Sequence, residues 1–356
     1  MKKFFSGIVA LTILIFSLVG CSQHKSSSTT TTSDQKVIEE EDKLSVVASI
    51  YPMADFAAKI GGDLIDLKTM VPPGTDAHGW EPSTGDIIAL NEADVFIYNG
   101  SGMEGWTESI LDTLENPDLI VIEASAGLTV PFSEHQVEYI DGTVIHEDEN
   151  DHADDEENHE NEDIHEESEH DHEADHHHHH DHDGMDPHVW LDPDLAGEQM
   201  KAIAKGFIEA DPDNKDIYEN NLTQMEKKLD ALDDQFEKEL EGIKKRDIVV
   251  SHAAFGYLCQ AYDLNELAIT GVSPESEPSP EDMATIIKVM EEKQITTIFF
   301  ETLATPKVAE TIAAETGANV DTLNPIEGLT EENIENGDDY FSLMEKNLDA
   351  LVKALK

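Results

Sequence analysis

From residue 44 onward, short apolar runs alternate with longer segments whose apolar positions recur every three or four residues. Short runs of this kind fit strands buried on both faces, and the longer period fits helices packed against them. The pattern predicts strands at 44–50, 65–71, 94–98 and 119–122, with helices near 53–60, 84–92 and 104–115 between them. It recurs with strands near 247–250, 267–272, 295–300 and 319–323 and helices near 253–262, 281–293 and 305–316. Strand and helix in alternation build parallel sheets wrapped by helices. The fold class is therefore α/β with two lobes, an N-terminal one over 44–212 and a C-terminal one over 242–356.

Between the two series, apolar residues at Ile217, Leu222, Met225, Leu229, Leu232, Phe236, Leu240 and Ile243 trace one helical face, with later gaps of three and four. Pro212 precedes the stretch and suits a first helical turn. No Gly or Pro interrupts residues 213–241, so one long helix is expected there, about 43 Å from end to end at 1.5 Å per residue. A rigid rod between two lobes limits how far they hinge.

Three stretches do not fit this pattern. Lys2 and Lys3 precede an uncharged, mostly apolar run over residues 4–20 that ends in Leu18-Val19-Gly20-Cys21. As a helix the run is about 25 Å long, short of the ~30 Å hydrocarbon core, which favours a cleaved signal peptide over 1–20. Small residues leading into Cys21 resemble a bacterial lipobox, which implies lipidation of Cys21 and attachment of the mature chain to a membrane. Residues 21–43 are rich in Ser, Thr and charged groups and read as a flexible tether, with His24 merely solvated. Residues 146–182 hold 12 His, 10 Glu and 8 Asp, no Lys or Arg, and a single large apolar side chain. Such a segment buries too little to fold and is expected to be a disordered insertion. Its imidazoles and carboxylates suit divalent metals, which makes His146, His152, His159, His165, His170, His172, His176, His177, His178, His179, His180 and His182 candidates for weak auxiliary metal binding.

Charge narrows the function. With 78 Asp and Glu against 22 Lys and Arg, the formal net charge is −56, which repels nucleic acid and attracts cations. Cys21 and Cys259 are the only cysteines, too few for a disulfide framework or a Cys-based zinc finger. Cys259, in an apolar stretch, reads as a buried small hydrophobe. The segment His172-Glu173-Ala174-Asp175-His176 matches the HExxH pattern of metalloproteases. In a tract of this composition about one such match arises by chance, and no apolar helix face supports it.

The other histidines stand apart from the tract. His78 lies in GTDAHGWEPS just past a predicted strand, His188 in DPHVWLDP, and His252 in SHAAFGYL directly after the strand IVVS; His135 sits in an unpatterned polar segment and has no assigned role. Parallel sheets bind ligands outside the carboxyl ends of their strands, where His78 and His252 fall in different lobes. Trp80 and Trp190 neighbour two of these histidines and either line a cleft or pack in the core.

Taken together, the lipobox, GTDAHGWEPS, the acidic His-rich insertion, DPHVWLDP, SHAAFGYL and NPIEGLT resemble the zinc-binding lipoprotein components of bacterial ABC importers, in the metal-binding group of solute receptors. The resemblance spans about 44–356. It implies two lobes joined by one long helix, a Zn2+ site in the cleft, an ABC permease as partner, and a monomeric, extracytoplasmic receptor that is not an enzyme. It carries three metal ligands onto His78, His188 and His252, and a fourth onto Glu327, with water, Glu301 or Asp321 as alternatives. Three imidazoles and one carboxylate suit zinc, whereas a second carboxylate would favour manganese. Other readings are a manganese receptor of the same group, a surface adhesin or zinc buffer, and an enzyme in which three His activate a bound water.

Overall fold

A computed structural model describes residues 43–128, 137–139, 185–271, 278–303 and 307–356. The signal peptide, Cys21, the tether with His24, His135 and the His-rich tract lie outside the described residues. Among the described residues, no helix is long and apolar enough to cross a membrane.

Two parallel sheets form the lobes. The first has the order β2-β1-β3-β4, built from β1 (Leu44–Ala48), β2 (Ile65–Thr69), β3 (Val95–Tyr98) and β4 (Ile120–Glu123). The second has the order β5-β7-β6-β8-β9, built from β5 (Val137–Tyr139), β6 (Asp247–His252), β7 (Asn265–Thr270), β8 (Thr297–Phe300) and β9 (Asn319–Thr322). β5 precedes the insertion in sequence yet pairs with β7, Val137 opposite Glu266.

Helices wrap these sheets: α1 (Tyr51–Gly61), α2 (Thr84–Glu92), α3 (Thr107–Leu111), α4 (Pro193–Ala210), α5 (Lys215–Leu240), α6 (Gly256–Ala261), α7 (Pro280–Lys293), α8 (Lys307–Thr316), α9 (Glu331–Asn336) and α10 (Tyr340–Leu355). α3 is shorter at both ends than the expected 104–115, and Glu104, which precedes it, turns its side chain inward to accept the N–H groups of Asn99 and Gly100. α4 was not evident from the pattern. Its buried face mixes Met200, Ile203 and Phe207 with small Ala196, Gly197, Ala204 and Gly206, which weakens the apolar period. Its start is nonetheless marked by Asp192, whose Oδ1 accepts the Asp194 N–H, and by Pro193 at the first helical position.

α5 is the expected rod, with 26 residues and a length of about 39 Å. Its buried stripe is Tyr218, Met225, Leu229, Leu232, Phe236 and Leu240; Ile217, placed on that stripe by its apolar character, faces solvent, and Tyr218 takes its position. Asn221 Nδ2 donates to Ile60 O at the end of α1, while Phe236 stacks on Tyr262 beyond α6. The rod is thereby fixed to both lobes. α10 reinforces it, with Tyr340 edge-on to Phe56 of α1 and donating its hydroxyl to Trp190 O. One apolar cluster runs from Val46 and Phe56 through Phe236 to Val250, Phe255 and Leu351, so the lobes share a core behind the cleft.

Candidate metal centre

Each metal-ligating candidate enters the cleft from a different segment. His252 is the last residue of β6, and its strand register places it opposite Thr270. His78 follows the Pro72-Pro73-Gly74 turn; Gly74, at φ +75°, donates its N–H to Leu329 O and ties this loop to the one that follows Glu327. His188 lies in the connection into α4, where Asn99 Nδ2 holds Pro187 O at 2.9 Å. Glu327 follows Ile326, a buried β-branched residue at φ +61°. That conformation is strained for such a side chain and persists only where the surroundings impose it. Here Asn324 Oδ1 accepts the Ile326 N–H, Trp190 Nε1 donates to Pro325 O at 2.7 Å, and Asn347 bonds Asn324 through both N and O.

Three imidazoles converge on one oxygen. Glu327 Oε1 lies 3.4 Å from His78 Nε2, 3.0 Å from His188 Nε2 and 3.3 Å from His252 Nε2. His188 and His252 Nε2 are 3.5 Å apart, and all four candidate ligand atoms lie within 4.8 Å of one another. A tetrahedral ion with ligands at about 2.05 Å has ligand–ligand edges of about 3.3 Å, close to the 3.0 Å to 3.5 Å of the Glu327–His and His188–His252 pairs. The His188 and His252 side chains are 0% exposed, Glu327 4% and His78 11%, so the site opens to solvent past His78.

Behind the imidazoles stand carboxylates. Asp186 Oδ1 lies 2.7 Å from His188 Nδ1 and accepts the His188 N–H at 2.9 Å. Glu301 Oε1 approaches His252 Nδ1 at 2.5 Å, off the line of a good hydrogen bond, and accepts the Ser251 hydroxyl. A carboxylate on Nδ1 fixes the tautomer and leaves the Nε2 lone pair for a metal. The His78 N–H is accepted by Asp76 Oδ1.

These contacts dominate the electrostatics. Burial lowers the His188 pKa, but Asp186 and Glu327 outweigh it and carry it up to about 9. Burial likewise opposes the charged form of His252, yet Glu301 and Glu327 hold its pKa well above the ordinary value. Burial would raise Glu327, but the three histidines hold it well below the usual carboxylate range. Glu266, fully buried, is pushed up to about 8 by burial and by Asp186, against the pull of the Phe255 N–H and the two histidines.

The structure thus brings His78, His188, His252 and Glu327 together. Glu301 sits behind His252 rather than among the converging atoms, and Asp321 pairs with Lys353 at 2.6 Å away from them. Cys259 is buried and free. Trp190 is buried and packs edge-on to His188, whereas Trp80 packs against Trp106. Sequence reasoning gave no role to Asp186, although a carboxylate two residues before a ligand-like His in DPH was its visible signal.

The family profile described as ZnuA, zinc-uptake complex component A periplasmic, matches residues 46–354. The chain belongs to the ZnuA family. Among ZnuA relatives, the high-affinity zinc uptake system protein ZnuA of Bacillus subtilis (strain 168) is 34% identical over 357 residues, covering 100% of this chain and 99% of that protein. The zinc-binding lipoprotein AdcA of Streptococcus pneumoniae serotype 4 is 33% identical over 353 residues, 99% of this chain, which spans only 60% of AdcA. The crystal structure of the Zn(II)-bound ZnuA-like domain of Streptococcus pneumoniae AdcA superposes with a TM-score of 0.68 at 30% identity, covering 88% of this chain and 99% of that domain.

Proposed function

We propose that this protein is an extracytoplasmic receptor that captures Zn2+ in the cleft between its lobes and delivers it to an ABC-type permease for high-affinity uptake. The observation that carries the reading is the convergence of His78, His188 and His252 Nε2 on Glu327 Oε1 in a largely buried pocket. Three imidazoles and one carboxylate form a nitrogen-rich, four-coordinate donor set, the type zinc favours, whereas manganese prefers more oxygen ligands. A filled fourth position leaves no open place for an activated water, so the chemistry is binding and release rather than catalysis. The lipobox at Cys21 supports a lipid anchor that holds the receptor at the outer face of the membrane, beside its permease. The His-rich tract over 146–182 gathers zinc in weaker sites and raises its local concentration beside the cleft.

Competition titration of metal-stripped protein against a fluorescent chelator tests the ligand set. His78→Ala, His188→Ala and His252→Ala should each weaken zinc binding far more than any single substitution in the tract. Glu327→Ala should cost less, since water can replace a carboxylate. Deleting residues 146–182 should leave one tight site and remove the weak ones. If the three His variants bind zinc as tightly as the parent, the assignment is wrong.

A further inference from the structure

One buried carboxylate has no part in the ligand set. Glu266 lies on β7 opposite Ile248 of β6 and is 1% exposed. Its Oε1 accepts the N–H groups of Ala254 at 3.1 Å and Phe255 at 2.9 Å, the residues that carry the chain from His252 into α6. Its Oε2 is buried and has no hydrogen-bond partner among the described residues, an arrangement that costs stability. A Cβ added to Gly256 would stand 2.7 Å from Asp186 Oδ2 and 3.8 Å from Glu266 Oε2. Asp186 and Glu266 therefore crowd one face of Gly256, which only a residue without a side chain permits. The next residue, Tyr257, donates its hydroxyl to Asp186 O at 3.1 Å. The first turn of α6 is thus the common support of two segments: the one ending in His252 and the one in which Asp186 holds His188.

We propose that Glu266 is a positioning residue for zinc binding: it fixes the turn after His252 and, through Gly256 and Tyr257, the seat of Asp186, so that one side chain sets the spacing of two imidazoles. This rests on His188 and His252 being ligands. Their Nε2 atoms are 3.5 Å apart, near the edge of a tetrahedral zinc site, and slack in either segment widens that gap.

The test uses the full chain carrying Glu266→Ala, Glu266→Gln or Glu266→Asp, with Leu267→Ala as a control that opens a cavity on the opposite face of the same strand. Zinc affinity is read by chelator competition, ligand geometry by the visible spectrum of the Co2+-loaded protein, and folding by circular dichroism and Tm. Gln keeps an oxygen for the Ala254 and Phe255 N–H groups, while Asp withdraws it by one methylene. Glu266→Ala and Glu266→Asp should lose about tenfold to a hundredfold in zinc affinity and shift the Co2+ bands, the range found for groups behind metal ligands. Glu266→Gln should restore both, and Leu267→Ala should lower Tm without moving either. If Glu266→Ala does not fold, Glu266→Asp and Glu266→Gln decide. Folded variants with parental affinity and spectrum, or an equal loss in Leu267→Ala, would overturn the proposal. The parent and His252→Ala in the same assay separate the two ideas: if His252→Ala binds like the parent, the ligand assignment has failed; if it does not and the Glu266 variants behave as parent, only the positioning role has.

Discussion

Raising the pH from 7 to 8.5 perturbs metal-stripped protein at the histidines of its site. Against burial, Asp186 and then Glu327 hold a proton on His188, carrying its pKa up to about 9, and Glu301 and then Glu327 raise His252 in the same direction. An imidazolium has no lone pair for a metal, so zinc must displace each such proton. At pH 8 a group with a pKa of about 9 is about nine-tenths protonated, whereas an imidazole at the ordinary 6.5 would be only about 3% protonated. Glu327, held well below the carboxylate range, is ionised throughout and releases nothing. Zinc binding at pH 8 should therefore release between about one and two protons, and the logarithm of the affinity should rise by the same amount per pH unit, about 1.4 kcal/mol for each proton. Calorimetry in buffers of different ionisation enthalpy, with a competing chelator, counts these protons. Release of fewer than about 0.3 protons at pH 8 would mean that the imidazoles are neutral in metal-stripped protein. That result would refute the electrostatic account.

The same groups govern the metal-free protein. A His raised above 6.5 contributes stability that is complete below that value and is lost as pH rises through about 9, and Glu266, raised to about 8, acts with the same sign; denaturation in the presence of chelator should thus give lower stability at pH 9 than at pH 6.5. Asp186→Asn removes the charge on His188 Nδ1 and should weaken zinc binding about tenfold to a hundredfold in competition titration. Gly206→Ala drives a methyl into Ile122 beneath α4 and should cost about 1–3 kcal/mol in thermal or urea unfolding while leaving zinc affinity at the parental value.

Much of this architecture is written in local pattern. β1, β3, β6 and β8 are apolar runs that any period-based reading finds, and α5 declares itself by an unbroken stripe. His78 and His252 were legible because parallel sheets present their carboxyl ends to ligands. What local pattern does not carry is contact between distant segments. Asp186 and Glu266 have no periodic signature, and their roles exist only where the β6–α6 turn meets the loop before His188. α4 escaped because its buried face is partly Ala and Gly, and the inward turn of Glu104 depends on Asn99 and Ser49 lying beside it. The left-handed backbone of Ile326, which aims Glu327, runs against local propensity and is imposed by Asn324, Asn347 and Trp190.

X-ray absorption at the zinc edge, on protein purified without added metal and with the tract deleted, tests the central claim most directly. One zinc per chain with three nitrogen ligands at about 2.0–2.1 Å and one oxygen, reduced to two nitrogens or lost in His188→Ala, is the expected result. An oxygen-rich six-coordinate ion, or a first shell unchanged in His188→Ala, would contradict it.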